Sequence, residues 1–155
     1  MAKVVIVYES RYGNTKRVAE TIMKGIRDAG VVEAFLSELK EIDFNSILGY
    51  DAVLIGSPNH MGWPTRGIKS FIDRLGELRP EGKKFAVFDT YMGNDLEKAV
   101  EKMEKRISEK IPGTKQLVHG LSIRVLGMRG PLAEGELQKC VDFGNKIVVQ
   151  LKSGC

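Results

Sequence analysis

This sequence has little with which to build a covalent framework or hold a metal. Its 155 residues include two cysteines, Cys140 and Cys155, too few for a disulfide scaffold and without metal-ligand spacing. The two histidines, His60 and His119, also lack the spacing of a metal pair. No apolar run approaches the roughly 20 residues that a membrane-spanning helix needs. Met1-Ala2-Lys3 leads directly into an apolar run without signal-peptide architecture. These absences point to a cytoplasmic protein that does not enter a membrane. Three ligand-binding and catalytic signatures are missing as well: G-x-G-x-x-G for a dinucleotide, G-x-x-x-x-G-K-[ST] for a nucleoside triphosphate, and the C-x-x-x-x-x-R loop of a phosphatase.

The composition is that of an ordinary globular domain, 43% hydrophobic and 28% charged. The length suits one domain over residues 1–155 with room for a full core. The formal net charge is +4, and a basic surface attracts acidic partners or nucleic acid. Over residues 97–110, however, the cations alternate with carboxylates, the pattern of a solvated helix face rather than a nucleic-acid track.

The organising stretch is Ser10-Arg11-Tyr12-Gly13-Asn14-Thr15. It follows a β-branched apolar run at residues 4–8, which reads as a buried strand. It precedes residues 16–29, where Val18, Ile22, Gly25, Ile26 and Ala29 recur at helical spacing. A tight strand-to-helix turn presents unpaired N–H groups at the positive end of a helix, which suits a phosphate. Ser10, Asn14 and Thr15 offer further hydrogen bonds, and Gly13 lets the backbone curl around an anion. The competing reading is a helix simply capped by Asn14 or Thr15, with no ligand.

Strand and helix signals alternate along the rest of the chain. Strands are expected at residues 31–39, 52–56, 85–88 and 117–126, with short-helix and turn signals at 43–50 and a turn at 79–82. Helices are expected to carry Ile68, Phe71, Ile72 and Leu75, then to run over residues 96–109 and 132–151. Cys140 falls in the apolar stripe of the last helix and reads as core. Alternating strands and helices imply an α/β fold, a parallel sheet with right-handed crossovers and helices on both faces.

A first strand followed by Ser-x-x-Gly-Asn-Thr resembles the FMN-phosphate loop of flavodoxins and flavodoxin-like domains. With an aromatic before the glycine, Tyr12-Gly13-Asn14-Thr15 looks most like the flavodoxin domain of flavodiiron proteins and related quinone reductases. Gly56-Ser57-Pro58-Asn59 with Pro64 is similar to the family's loop against the flavin ring, and Thr90-Tyr91 stands where the family has its other flavin loop. The resemblance covers nearly the whole chain. It implies a flavodoxin-like three-layer sandwich with a five-stranded parallel sheet of order 2-1-3-4-5. In that order the loops after strands 1 and 3 flank the switch point, where such sheets bind ligands.

It further implies an FMN-binding carrier of electrons between redox partner proteins, a monomer or weak homo-oligomer. The rivals are an FMN-dependent NAD(P)H:quinone oxidoreductase and a cofactor-free partner-binding module. The implied cofactor contacts are Ser10, Arg11, Tyr12, Gly13, Asn14 and Thr15; then Ser57, Pro58, Asn59, His60, Met61, Gly62 and Trp63; then Thr90, Tyr91, Met92, Gly93 and Asn94. Arg11 either pairs with the phosphate or faces solvent. Trp63 either stacks on the ring or packs on the next helix, and His60 is either a surface residue or a proton donor. Tyr91 is the candidate second wall, and Gly93 stands where the family often has a further aromatic. The basic charge departs from acidic electron-carrier flavodoxins and implies partners with an acidic docking face.

Overall fold

The computed structural model describes residues 1–80 and 82–153. Cys155, and Glu81 of the expected 79–82 turn, lie outside the described residues. Strand β1 spans Ala2–Tyr8, followed by helix α1 (Asn14–Asp28), β2 (Val32–Glu38) and two 3-10 turns at Leu39–Glu41 and Phe44–Gly49. Then come β3 (Ala52–Pro58), α2 (Arg66–Glu77), β4 (Lys84–Tyr91), α3 (Lys98–Lys110), β5 (Lys115–Gln116), β6 (Leu121–Arg124) and α4 (Glu136–Ser153). The sheet runs β2-β1-β3-β4-β5, with β6 also on β4, and every pairing is parallel. The expected order 2-1-3-4-5 is therefore the observed one.

Two elements differ from the sequence expectation. The fifth strand, expected unbroken over 117–126, is two short pieces, one beside Lys84–Phe85 and one beside Phe88–Tyr91. Between them the Gly120 amide donates to a Glu104 carboxylate oxygen on α3 at 3.1 Å instead of to β4. A side chain at Gly120 would also overlap Val100. The closing helix begins at Glu136 rather than at 132, because Leu132 bridges back to Val125 and Ala133 donates to the Arg124 carbonyl. The first departure is set by a contact 16 residues away in sequence, and the second by the chain folding back on the end of β6.

The two faces of the sheet follow from strand alternation. Val4, Ile6, Leu54, Ala86 and Phe88 face α1 and α4, packing with Val18, Ile22, Phe143 and Ile147. Val5, Val7, Val53, Ile55, Phe85 and Val87 face α2 and α3, packing with Ile68, Ile72, Val100 and Met103. Cys140 is buried in the first of these cores, as its helical register implies. Each large aliphatic side chain so buried contributes about 1.5–3 kcal/mol.

Helices α1 and α4 touch backbone to backbone. A Cβ at Gly25 would lie 2.5 Å from the Val141 carbonyl oxygen, and one at Gly144 would lie 2.5 Å from that of Ile22. Replacing a helical glycine by alanine ordinarily stabilises by about 1 kcal/mol. Here the neighbour is backbone and cannot swing aside, so the helices must separate, and overpacking costs about 1–3 kcal/mol. Gly144→Ala is therefore expected to lower unfolding free energy in urea titration despite its better helix propensity. A gain in stability would show that the helices separate freely.

Candidate functional site

The turn after β1 joins strand to helix over the stretch expected. Gly13 sits at φ 94, a left-handed conformation that other residues rarely adopt, and caps α1 without any side-chain hydrogen bond of its own. The Ser10 hydroxyl accepts from the Gly13 and Lys16 amides at 3.1 and 3.3 Å. The capping alternative for Asn14 and Thr15 fails, since both side chains are engaged elsewhere. The Asn14 amide nitrogen donates to the Met128 carbonyl at 3.0 Å. The Thr15 and Thr90 hydroxyls lie 3.0 Å apart and buried. Among the described residues, the backbone N–H groups of Asn14 and Thr15 take no partner, leaving open donors at the positive end of α1.

The loops after β3 and β4 form the opposite wall. Asn59 is their cross-tie. Its backbone N–H donates to the Thr90 carbonyl at 2.8 Å, its side-chain nitrogen donates to the Asp95 carbonyl at 2.9 Å, and its side-chain oxygen accepts from Gly62 at 2.7 Å. The Ser57 hydroxyl, buried, accepts from the Thr65 amide at 2.9 Å and so shapes the loop from behind. Residues 60–63 make a two-residue reverse turn, closed by hydrogen bonds between His60 and Trp63, with Met61 and Gly62 at φ 53 and 91. Lys102 donates to the Gly62 carbonyl and holds the turn against α3.

Between these walls is an open cleft of about 320 Å³. Of the sequence candidates, Ser10, Arg11, Tyr12, Asn14, Thr15, Pro58, Asn59, His60, Met61, Thr90 and Met92 line it. Gly13, Ser57, Gly62, Gly93 and Asn94 belong to the same loops but do not border the cavity. Trp63 and Tyr91 do not border it either. Thr90 faces α1, so Tyr91, the next residue on the strand, turns to the other side of the sheet and is nearly buried. Trp63 is half-exposed beyond the reverse turn. Arg11 lies in the lining, and its guanidinium and that of Arg129 each sit 5.6 Å from the Tyr12 ring centroid.

Two lining residues escape the sequence reading, Val125 and Met128. They follow β6, in a stretch legible as strand end and loop. The Asn14–Met128 hydrogen bond and the Arg129 guanidinium beside Tyr12 bring that loop to the first one.

Beneath the cleft, Asp89 is fully buried at the end of β4. Burial pushes its carboxyl up to about 6, although hydrogen bonds from the Ser122 hydroxyl and the Val100 amide pull the other way. The Ser122 hydroxyl also accepts from the Glu97 amide, so this acid anchors the start of α3. The folded state holds this proton more tightly than the unfolded chain. Its contribution to stability is thus fully present below about pH 4 and is lost as pH rises through about 6. Relative to Asp89→Asn, the wild type should lose up to about 3 kcal/mol between those limits. Urea titrations of both proteins from pH 4 to 8 test this; parallel pH profiles would refute it.

The site lies where β1 and β3 are adjacent and their helices leave to opposite faces, and the comparisons with known proteins agree with that geometry. A family model described as Flavodoxin matches residues 6–144. A flavodoxin of Aquifex aeolicus is 35% identical over 96 residues, covering 60% of this chain and 52% of that protein. The chain spans about half the length of the first curated relatives it matches. A nitric oxide reductase of Moorella thermoacetica is 30% identical over 97% of this chain and 36% of its own length. Among solved structures, a flavodoxin from the domain Archaea superposes with a TM-score of 0.82 at 26% identity, covering 97% of this chain and 99% of that one. Oxidised Flavodoxin 2 from Bacillus cereus gives 0.81 at 30% identity, covering 96% and 99%. The chain belongs to the flavodoxin family.

Proposed function

We propose that this cleft binds FMN non-covalently and that the chain, as a single domain over residues 1–155, carries electrons between redox partner proteins. The observation that supports the reading is one cleft with two chemistries. Open amides of Asn14 and Thr15 stand at a helix N-terminus at one end. A largely apolar slot bordered by Tyr12, Pro58, Met61, Met92, Val125 and Met128 continues from it. The first fits a phosphate, and the second fits a flat, weakly polar ring.

When bound, FMN accepts and releases electrons one or two at a time. The chain's own residues bind, orient and shield. Ser10, by taking the Gly13 and Lys16 amides, keeps the turn curled so that the next two amides face outward. The Thr15 and Thr90 hydroxyls share one hydrogen between them, which leaves the other hydroxyl hydrogen free to donate to a phosphate oxygen. Arg11 adds positive charge at the same end. Asn59 fixes the spacing of the two ring-facing loops, with Ser57, Gly62, Gly93 and Asn94 shaping them. No helix among the described residues is long and apolar enough to cross a membrane. The protein works in the cytoplasm, as a monomer or weak homo-oligomer, with partners that present an acidic face to its net charge of +4.

Thr15→Val retains the shape of the side chain and removes the hydroxyl. It should weaken FMN by about 1–3 kcal/mol, the range for a hydrogen bond to a charged group. Riboflavin, which lacks the phosphate, should be indifferent to the change. Titration followed by flavin absorption measures both. A wild type that stays colourless with added FMN would end the cofactor reading, and equal losses for both flavins would remove the phosphate from this turn.

A further inference from the structure

We propose that Trp63, with Lys69 and Lys102 beside it, is the docking anchor for an acidic redox partner rather than a wall of the cofactor cleft. The proposal rests on the electron-carrier reading above and names where its partner sits. Trp63 is the chain's one tryptophan, and it is 50% exposed. Its backbone is held on both sides of the reverse turn, by His60 N–H to Trp63 O at 2.8 Å and Trp63 N–H to His60 O at 3.0 Å. The ring is thus presented on a fixed mount and not on a loose loop. The Lys102 ammonium lies 4.0 Å from the ring centroid and that of Lys69 5.2 Å.

Holding the turn accounts for one such contact, since an exposed cation–π pair contributes about 0.5–1 kcal/mol. That explains one lysine but not two. Bringing a second ammonium to the same ring adds like-charge repulsion, and neither Lys69 nor Lys102 has a carboxylate partner among the described residues. Lys98, by contrast, is paired with Asp95 at 3.1 Å. Arg66, at the start of α2, is a further exposed cation without an acidic partner among the described residues. An uncompensated cationic cluster around a rigid, half-exposed indole matches a carboxylate-bearing protein surface in both charge and apolar content.

Continuity with the cleft favours a redox protein as the occupant. Met61 is 93% exposed, borders the cleft and shares one four-residue turn with Trp63. A partner seated on the indole is therefore brought to the cleft mouth, where electron exchange needs it. A nucleic acid would call for a longer run of cations than this compact group.

Trp63 fluorescence reports docking directly, whether or not flavin is present. The probe is an acidic ferredoxin that contains no tryptophan, added to the purified full chain. We expect saturable quenching, with affinity falling about tenfold between ~0.05 M and ~0.3 M salt. Lys69→Glu should lower affinity about tenfold further. Trp63→Phe should compete with the wild type for ferredoxin, and Trp63→Ala should compete poorly. FMN affinity should stay within about twofold for Lys69→Glu and Trp63→Ala, a difference under ~0.5 kcal/mol. The proposal is overturned by quenching that Lys69→Glu does not weaken, by equal binding of basic cytochrome c, or by tighter binding of a single-stranded oligonucleotide. A tenfold loss of FMN affinity in Trp63→Ala would also overturn it, by returning the indole to the cofactor. A wild type that binds ferredoxin as described but ignores FMN would support the docking surface while failing the cofactor reading.

Discussion

The cleft exists because of one topological constraint: β1 and β3 are neighbours in the sheet, yet the helices that follow them pack on opposite faces. Right-handed crossovers force this, since α1 must return on one side to reach β2 and α2 on the other to reach β4. The carboxyl-end loops of β1 and β3 therefore diverge, and no element covers the gap between them. Everything placed at the site depends on that divergence. The turn after β1 can leave two amides open only because α1 departs there, and the reverse turn at residues 60–63 can stand off only because α2 begins behind it at Arg66.

A few polar ties turn this gap into a shaped site. The Thr15–Thr90 pair links the start of α1 to the end of β4, and Asn14 draws in the loop after β6. Asn59 joins the loops after β3 and β4, while Asp89 locks the end of β4 to β6 and α3. Each tie spans more than 10 residues of sequence, and they run from the buried Thr15–Thr90 and Asp89–Val100 pairs to the exposed Asn14–Met128 bond. Asp89 stands apart in cost. A buried carboxylate opposes folding when ionised, and its three-way anchoring of the cleft floor is the compensating gain.

Charge separates this chain from the acidic pattern its resemblance would suggest. Arg11 and Arg129 gather at Tyr12, while Lys69 and Lys102 gather at Trp63. These are two cationic centres on different sides of the same loop system. The first borders the cleft through Arg11 and Tyr12, and the second lies beyond the reverse turn. The positive charge of this chain is thus gathered at two separate aromatic side chains rather than spread evenly over the loops.

The sequence by itself determined the element types and the loop after β1, while the sheet order came through the family resemblance. The element types and the loop rest on local signals: β-branched runs for buried strands, 3.6-residue spacing for helices, and a glycine with hydroxyl neighbours at a strand-to-helix turn. It also marked the loops after β3 and β4, because proline, glycine and asparagine interrupt the periodicity there. Side-chain direction at those loops was not legible. Trp63 and Tyr91 are the large aromatics of the two loops, and composition made them natural walls. Strand alternation sends Tyr91 to the far face, and a turn with two left-handed residues carries Trp63 past the cleft. Tertiary structure alone decided that Val125 and Met128 complete the lining, that the fifth strand breaks at Gly120, and that α4 starts late. In each case the deciding contact is with a residue far along the chain, Asn14 for Met128 and Glu104 for Gly120, or with a strand whose neighbour is set only by the folded sheet. Local periodicity carries the first kind of information; only packing creates the second.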